Sequence, residues 1–140
     1  MEIVGLGSQV MDCARVRKLI DKHGETFLKQ VYTDREVQFC NGKTRTTEQF
    51  TALWAAKEAV FRALGITWKR GTSWTDIEVV SENTGAQQVV VSGPTAEFMI
   101  ARGVSQVLLT TAFCREFATA TGIAVRNTET RPAEDTALDD

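Results

Sequence analysis

The run Thr47 to Leu64 constrains the fold more than any other segment. Thr46 with Gln49 three residues later is a helix-capping signal, and Gly65 stands where a left-handed residue ends a helix. One long helix is predicted, the spine of the domain. On a helical wheel Phe50, Leu53, Trp54, Phe61 and Leu64 form one apolar stripe that must lie on a core. Lys57 falls inside that stripe, and Glu58 borders it. Two readings of these charges stand at this point. Lys57 runs its stem along the core while Glu58 pairs with Arg62, worth about 0.2–0.5 kcal/mol. Alternatively, the helix edge lines a polar cleft, where a carboxylate holds a hard cation and an ammonium meets phosphate oxygens.

The segments around the spine follow from periodicity and turn chemistry. MEIVGLGSQV reads as a short strand, Glu2 to Gly7, and a turn; Val16, Leu19 and Ile20 then fall at helical spacing behind Asp12 as N-cap. Gly24 interrupts, Phe27, Leu28 and Val31 resume a helical stripe, and the capping box Thr33-Asp-Arg-Glu36 opens a short helix through Phe39. Asn41 to Thr47 is a polar surface loop. SWTDIEVV and QQVVV, split by Glu82-Asn-Thr-Gly85, predict a hairpin. Pro94 starts a short helix that stops near Gly103. VSQVLLTT and EFATATGIAV make two strands joined near Ala112 to Arg115. The order β-α-α-α-β-β-α-β-β predicts an α+β fold, with helices packed on one face of an antiparallel sheet of about five strands. Residues 1–126 form a single domain, and the polar, acidic 127–140 is expected to be a disordered tail.

With 140 residues, 43% hydrophobic and 24% charged, the chain suits one core. A net charge of −2 carries no global basic excess, which argues against nonspecific binding to nucleic acid or to an anionic membrane. Cys13, Cys40 and Cys114 contain no CxxC, and no apolar run reads as a signal peptide or a bilayer span. The cysteines are expected to be small apolar fillers in a reducing, cytoplasmic setting. His23, the only histidine, is read as a solvated residue of the first helical region. Arg15, Lys18 and Lys22 share one helical face, either as a solvated surface or as a dock for an acidic partner, whose signature is salt-sensitive association.

The stretch Trp54-Ala-Ala-Lys-Glu-Ala59 does not stand alone. Gly5-Leu-Gly7, Ala14-Arg-Val16, Phe27 through Thr33 with Glu36, Phe50, Ala63-Leu-Gly65, Ser73-Trp-Thr-Asp-Ile-Glu78, Gly85 and Glu116-Phe117 complete an ordered set spanning roughly residues 3 to 125. This set resembles the holo-acyl-carrier-protein synthases, the short trimeric class of 4′-phosphopantetheinyl transferases. The resemblance implies Mg²⁺-dependent transfer of phosphopantetheine from coenzyme A to a serine of an acyl carrier protein, a step serving fatty acid biosynthesis. It implies a homotrimer, with coenzyme A between neighbouring subunits. By the same resemblance Glu58 is a metal ligand and orients the group that loses a proton, Lys57 contacts phosphate oxygens, and Arg62 and Gly65 border coenzyme A. Arg15, with Lys18 and Lys22 nearby, meets the acidic carrier.

Four positions depart from the family pattern. Gln9 stands where a metal-binding aspartate is expected and offers Mg²⁺ only a neutral carbonyl oxygen; Asp12 matches the next acidic position and is the alternative donor. Leu53 replaces an arginine, Gly85-Ala-Gln replaces glycine-lysine-proline, and Phe113 replaces a histidine, each removing a polar group from the expected cleft. The signature favours a transferase. The replacements favour a homologue that binds carrier protein or coenzyme A without transfer.

Overall fold

The computed structural model describes residues 1–66 and 71–127; the expected tail lies almost wholly outside them. The elements are β1 (Glu2–Asp12), α1 (Cys13–His23), α2 (Glu25–Val31), α3 (Asp34–Asn41), α4 (Thr46–Leu64), a 3-10 turn (Trp74–Asp76), β2 (Ile77–Ser81), β3 (Gln87–Val91), α5 (Gly93–Ala101), β4 (Gln106–Phe113) and β5 (Phe117–Arg126). The α+β class and antiparallel pairing agree with expectation. The five strands, however, divide into a three-stranded sheet, β1-β5-β4, and a separate hairpin, β2-β3. Where a ladder would join β3 to β4, the side chain of Thr111 donates to Gln87 Oε1 at 2.8 Å.

Boundaries also differ: the run SWTDIEVV, expected as strand, opens with the 3-10 turn Trp74–Asp76 and pairs only from Ile77. Strand β1 continues past Gly7 to Asp12, because Gln9, Val10 and Met11 pair with Ala120, Thr119 and Ala118 of β5. Four helices rather than three precede the hairpin, since Gly24, at φ +52°, separates α1 from α2. Helix α4 begins without a side-chain cap, and the Thr46 hydroxyl donates instead to the Lys43 carbonyl at 2.8 Å. The other caps are as read: Asp12 accepts from Ala14 N at 2.8 Å, and both hydrogen bonds of the Thr33/Glu36 box are made.

The apolar stripe accounts for only part of the burial of α4. A second side, Ala55, Ala59 and Ala63, is buried as completely. Glycines let the sheet approach that side: a Cβ at Gly5 would lie 1.9 Å from the Ala63 carbonyl oxygen, and one at Gly7 2.3 Å from that of Ala59. No residue with a side chain fits there without parting strand from helix. Phe50, Leu53, Trp54 and Phe61 pack elsewhere, with residues of α1, α2, α3 and the hairpin among their clusters. Cys13 and Cys40 fill this core as expected, whereas Cys114, in the β4–β5 connection, is exposed.

Candidate active site

Neighbouring residues of a helix point about 100° apart, and this separates Lys57 from Glu58. Lys57 points inward and is fully buried. Its ammonium lies 2.8 Å from Glu36 Oε1 and donates to the carbonyls of Trp74, at 3.2 Å, and Ile77. Three donors meet three acceptors. Glu36 is equally committed: Oε1 accepts from Thr33 N at 2.9 Å and Oε2 from Val79 N at 2.8 Å. The pair thus ties α3, α4 and the edge of the hairpin together. Burial pushes the Lys57 ammonium below its ordinary pKa, with Glu36 opposing the shift. The expectation that Lys57 contacts phosphate is corrected here, because its donors are spent and no solvent reaches it. Nor does its head group return to water.

Glu58 is half-buried and joins no ion pair within 4 Å among the described residues. Burial pushes its carboxyl above the usual range, and Arg62 and then Arg15 oppose the shift. Arg62 acts from the next turn, on the β1 side: a Cβ at Gly7 would come within 2.6 Å of the Arg62 Cβ. Arg15 reaches over from α1, its guanidinium carbon 5.5 Å from the Trp54 ring centre. The contact pair expected between Glu58 and Arg62 is therefore absent, and two cations flank the carboxylate at longer range.

Strand alternation puts Gln9 on the helix-facing side of β1 with Gly5, Gly7 and Met11. Gly7 meets α4 at Ala59, so by strand and helix rise Gln9, two residues further on, falls beside the turn of α4 that precedes Ala59. Asp12 belongs to the opposite face, is exposed, and uses Oδ1 to cap α1. Gln9 shares the helix-facing side of β1 and Asp12 does not, so Asp12 is corrected from metal donor to helix cap. Among the described residues no three His, Cys, Asp or Glu side chains gather as a metal cage. Mg²⁺ commonly takes one or two protein oxygens and completes its shell with phosphates and water. The Glu58 carboxylate and the Gln9 amide oxygen fit that sparse arrangement.

Trp54 sits one turn before Glu58. Its ring meets those of Phe27 and Trp74 edge-on, at 5.3 and 6.0 Å between centres, and its Nε1 is buried without a hydrogen-bond partner among the described residues. Leaving such a donor unpaired costs about 1–3 kcal/mol. Periodicity assigns Trp54 to the apolar stripe and is silent about where its N–H goes.

Of the replaced positions, Leu53 is a core residue, 1% exposed, so its expected place in the cleft is corrected. Gly85, Ala86, Gln87 and Phe113 do line one cleft, of about 530 Å³, together with Phe39 and Lys43. Gly65 ends α4 in the left-handed conformation, and the guanidinium of Arg102 lies over it, 2.8 Å from where a Cβ would be. Arg102 had no signal in the sequence. Arg15, Lys18, Lys22 and His23 are all exposed on α1.

Comparisons with known proteins accord with this geometry. Residues 5–121 match the family model of the 4′-phosphopantetheinyl transferase superfamily. A holo-[acyl-carrier-protein] synthase of Rhodopirellula baltica is 36% identical over 120 residues, covering 86% of this chain and 95% of that protein. The crystal structure of the Neisseria meningitidis synthase superposes with a TM-score of 0.80 at 21% identity, over 89% of this chain and 99% of that one. The Bacillus anthracis synthase, solved in complex with CoA (3′,5′-ADP), gives 0.73 at 27% identity, over 91% and 100%.

Proposed function

This chain belongs to the holo-[acyl-carrier-protein] synthases of the 4′-phosphopantetheinyl transferase superfamily, and on that premise we propose that it transfers phosphopantetheine from coenzyme A to a serine of an acyl carrier protein. The observation that carries this reading is Glu58: a half-buried carboxylate, free of any close ion pair among the described residues, between two guanidiniums. The serine oxygen bonds to the β-phosphorus, the bond from that phosphorus to the bridging oxygen breaks, and adenosine 3′,5′-bisphosphate leaves. Glu58 orients the serine hydroxyl and receives, directly or through a water, the proton it loses. Arg62 and Arg15 balance charge on the diphosphate oxygens. Mg²⁺, when held by Glu58 and Gln9, supplies further neutralisation of that diphosphate. Lys57 touches no substrate and keeps α4 in place. Gly65 and Arg62 border the coenzyme.

To test the transfer, the protein is incubated with coenzyme A, Mg²⁺ and apo carrier proteins from its own source, and the carriers are weighed by mass spectrometry. A gain of the phosphopantetheine mass supports the reading. Carriers that bind without gaining mass would replace it with that of a binding module.

The carrier is expected to dock on α1, supported by the exposed row Arg15, Lys18 and Lys22. Reversing charge in the double variant Lys18→Glu/Lys22→Glu raises KM for the carrier about tenfold or more, with KM for coenzyme A unchanged. Wild-type KM for the carrier rises with salt. Equal effects on both substrates would refute docking there.

A homotrimer is supported by the sheet face that α4 leaves open. Leu6, Ile123 and Leu108 form one row across β1, β5 and β4, and Leu6 is 65% exposed. Residues Gln9, Arg15, Glu58 and Arg62 do not line the cleft beside Phe113, which suits a coenzyme site shared between copies. In solution a mass near three times 15.5 kDa is expected, falling to that of one chain in Leu6→Glu/Leu108→Glu. A wild-type monomer that transfers at full rate counts against the trimer. The reducing cytoplasm is the proposed setting, supported by three free cysteines.

A further inference from the structure

Among the described residues, Nε1 of Trp54 is the buried side-chain nitrogen or oxygen that lacks a hydrogen-bond partner. Buried donors in native proteins are nearly always paired, and an exception beside an active site is a place where a ligand can supply the missing acceptor. Trp54 precedes Glu58 by one turn, about 6 Å along the helix. Two aromatic edges, from Phe27 and Trp74, and the guanidinium of Arg15 surround its ring.

These surroundings select the acceptor. A phosphate oxygen is strongly hydrated and is drawn to the guanidiniums beside Glu58, while a carboxylate would carry charge into an aromatic wall. A neutral amide carbonyl on a flexible arm pairs the N–H without burying charge. We infer that the Trp54 indole N–H donates to an amide carbonyl of the pantetheine arm of coenzyme A, making Trp54 a specificity-determining residue. The inference rests on the proposed transfer, in which the arm starts at the diphosphate beside Glu58. Solvent does not touch Nε1 in the free protein, so part of its cover must lift. Arg15, over the ring, is exposed and makes no ion pair among the described residues, so the wall of the Trp54 pocket on that side is free to move.

The experiment compares coenzyme A with adenosine 3′,5′-bisphosphate, which lacks the arm, by calorimetry on wild type and Trp54→Phe. The phenyl ring keeps the aromatic packing and removes the donor. Affinity for coenzyme A is expected to fall about five- to tenfold and affinity for the bisphosphate to stay unchanged. A parallel loss for both ligands, or no loss for either, overturns the inference. In wild type with ¹⁵N-labelled indoles, the Trp54 N–H proton resonance moves downfield with coenzyme A and stays in place with the bisphosphate. A Trp54 signal unmoved by coenzyme A overturns the inference even if the variant fails to fold, Trp68→Phe and Trp74→Phe then serving for assignment. Wild type that binds neither ligand removes the proposed function itself, and Trp54's role with it. Wild type that binds coenzyme A without any change at Trp54 removes only the latter.

Discussion

Glu58→Gln is expected to lower kcat/KM for carrier modification by about 10²–10⁴-fold and to leave the melting temperature within about 3 °C of wild type. The substitution keeps the shape of the side chain and removes its charge, so the loss falls on the reaction. Folding is spared for a reason visible in the site: Glu58 makes no close ion pair among the described residues, and burial already disfavours its charged form. Carrier mass spectrometry over a time course and thermal unfolding together check both halves. Full activity in the variant sinks the assignment of Glu58; a collapse of stability without a separate catalytic loss moves it into the scaffold.

Its neighbour should behave in the opposite way. Lys57→Met is expected to destabilise the protein by about 3–5 kcal/mol, because it strands Glu36 as an unpaired buried charge. Methionine fills much of the space of the lysine stem, so a cavity contributes little and the missing ammonium contributes most. Urea unfolding reads the change as a lower midpoint at unchanged slope, and heating as a melting temperature lower by about 10 °C. In the fraction that remains folded, KM for coenzyme A stays near the wild-type value, since Lys57 faces away from substrate. A stable variant with a greatly raised KM would restore the phosphate contact first expected of Lys57.

The fold was legible wherever a signal is local. Asp12, Thr33 with Glu36, Gly65 and Pro94 each mark a terminus through their own backbone chemistry, and each acts near the end read from it. Partnership across the chain was harder to read. Glu36 looked like a capping residue and is one, but its carboxylate also accepts Lys57 and Val79 from other elements. The alanines of α4 carried no amphipathic signal, because their partners are glycines, which pattern reasoning assigns to turns. The site was half legible for the same reason. Glu58 was found through the family signature and Gln9 by alignment with it, whereas the direction of Lys57 and the unpaired N–H of Trp54 depend on packing. The hairpin meets the three-stranded sheet through side chains, Thr111 to Gln87 among them, rather than through a ladder, and no periodicity records that.

The bare backbone of β1 at Gly5 and Gly7 has one more effect. With no side chains between them, strand and helix are indexed to each other like the rules of a caliper, and neither can slide without a clash. The offset between position 9 and position 58 is therefore set by residues other than the two that occupy them. A lineage can exchange the donor at 9, aspartate for glutamine or back, and retune the charge of the site without redrawing its dimensions.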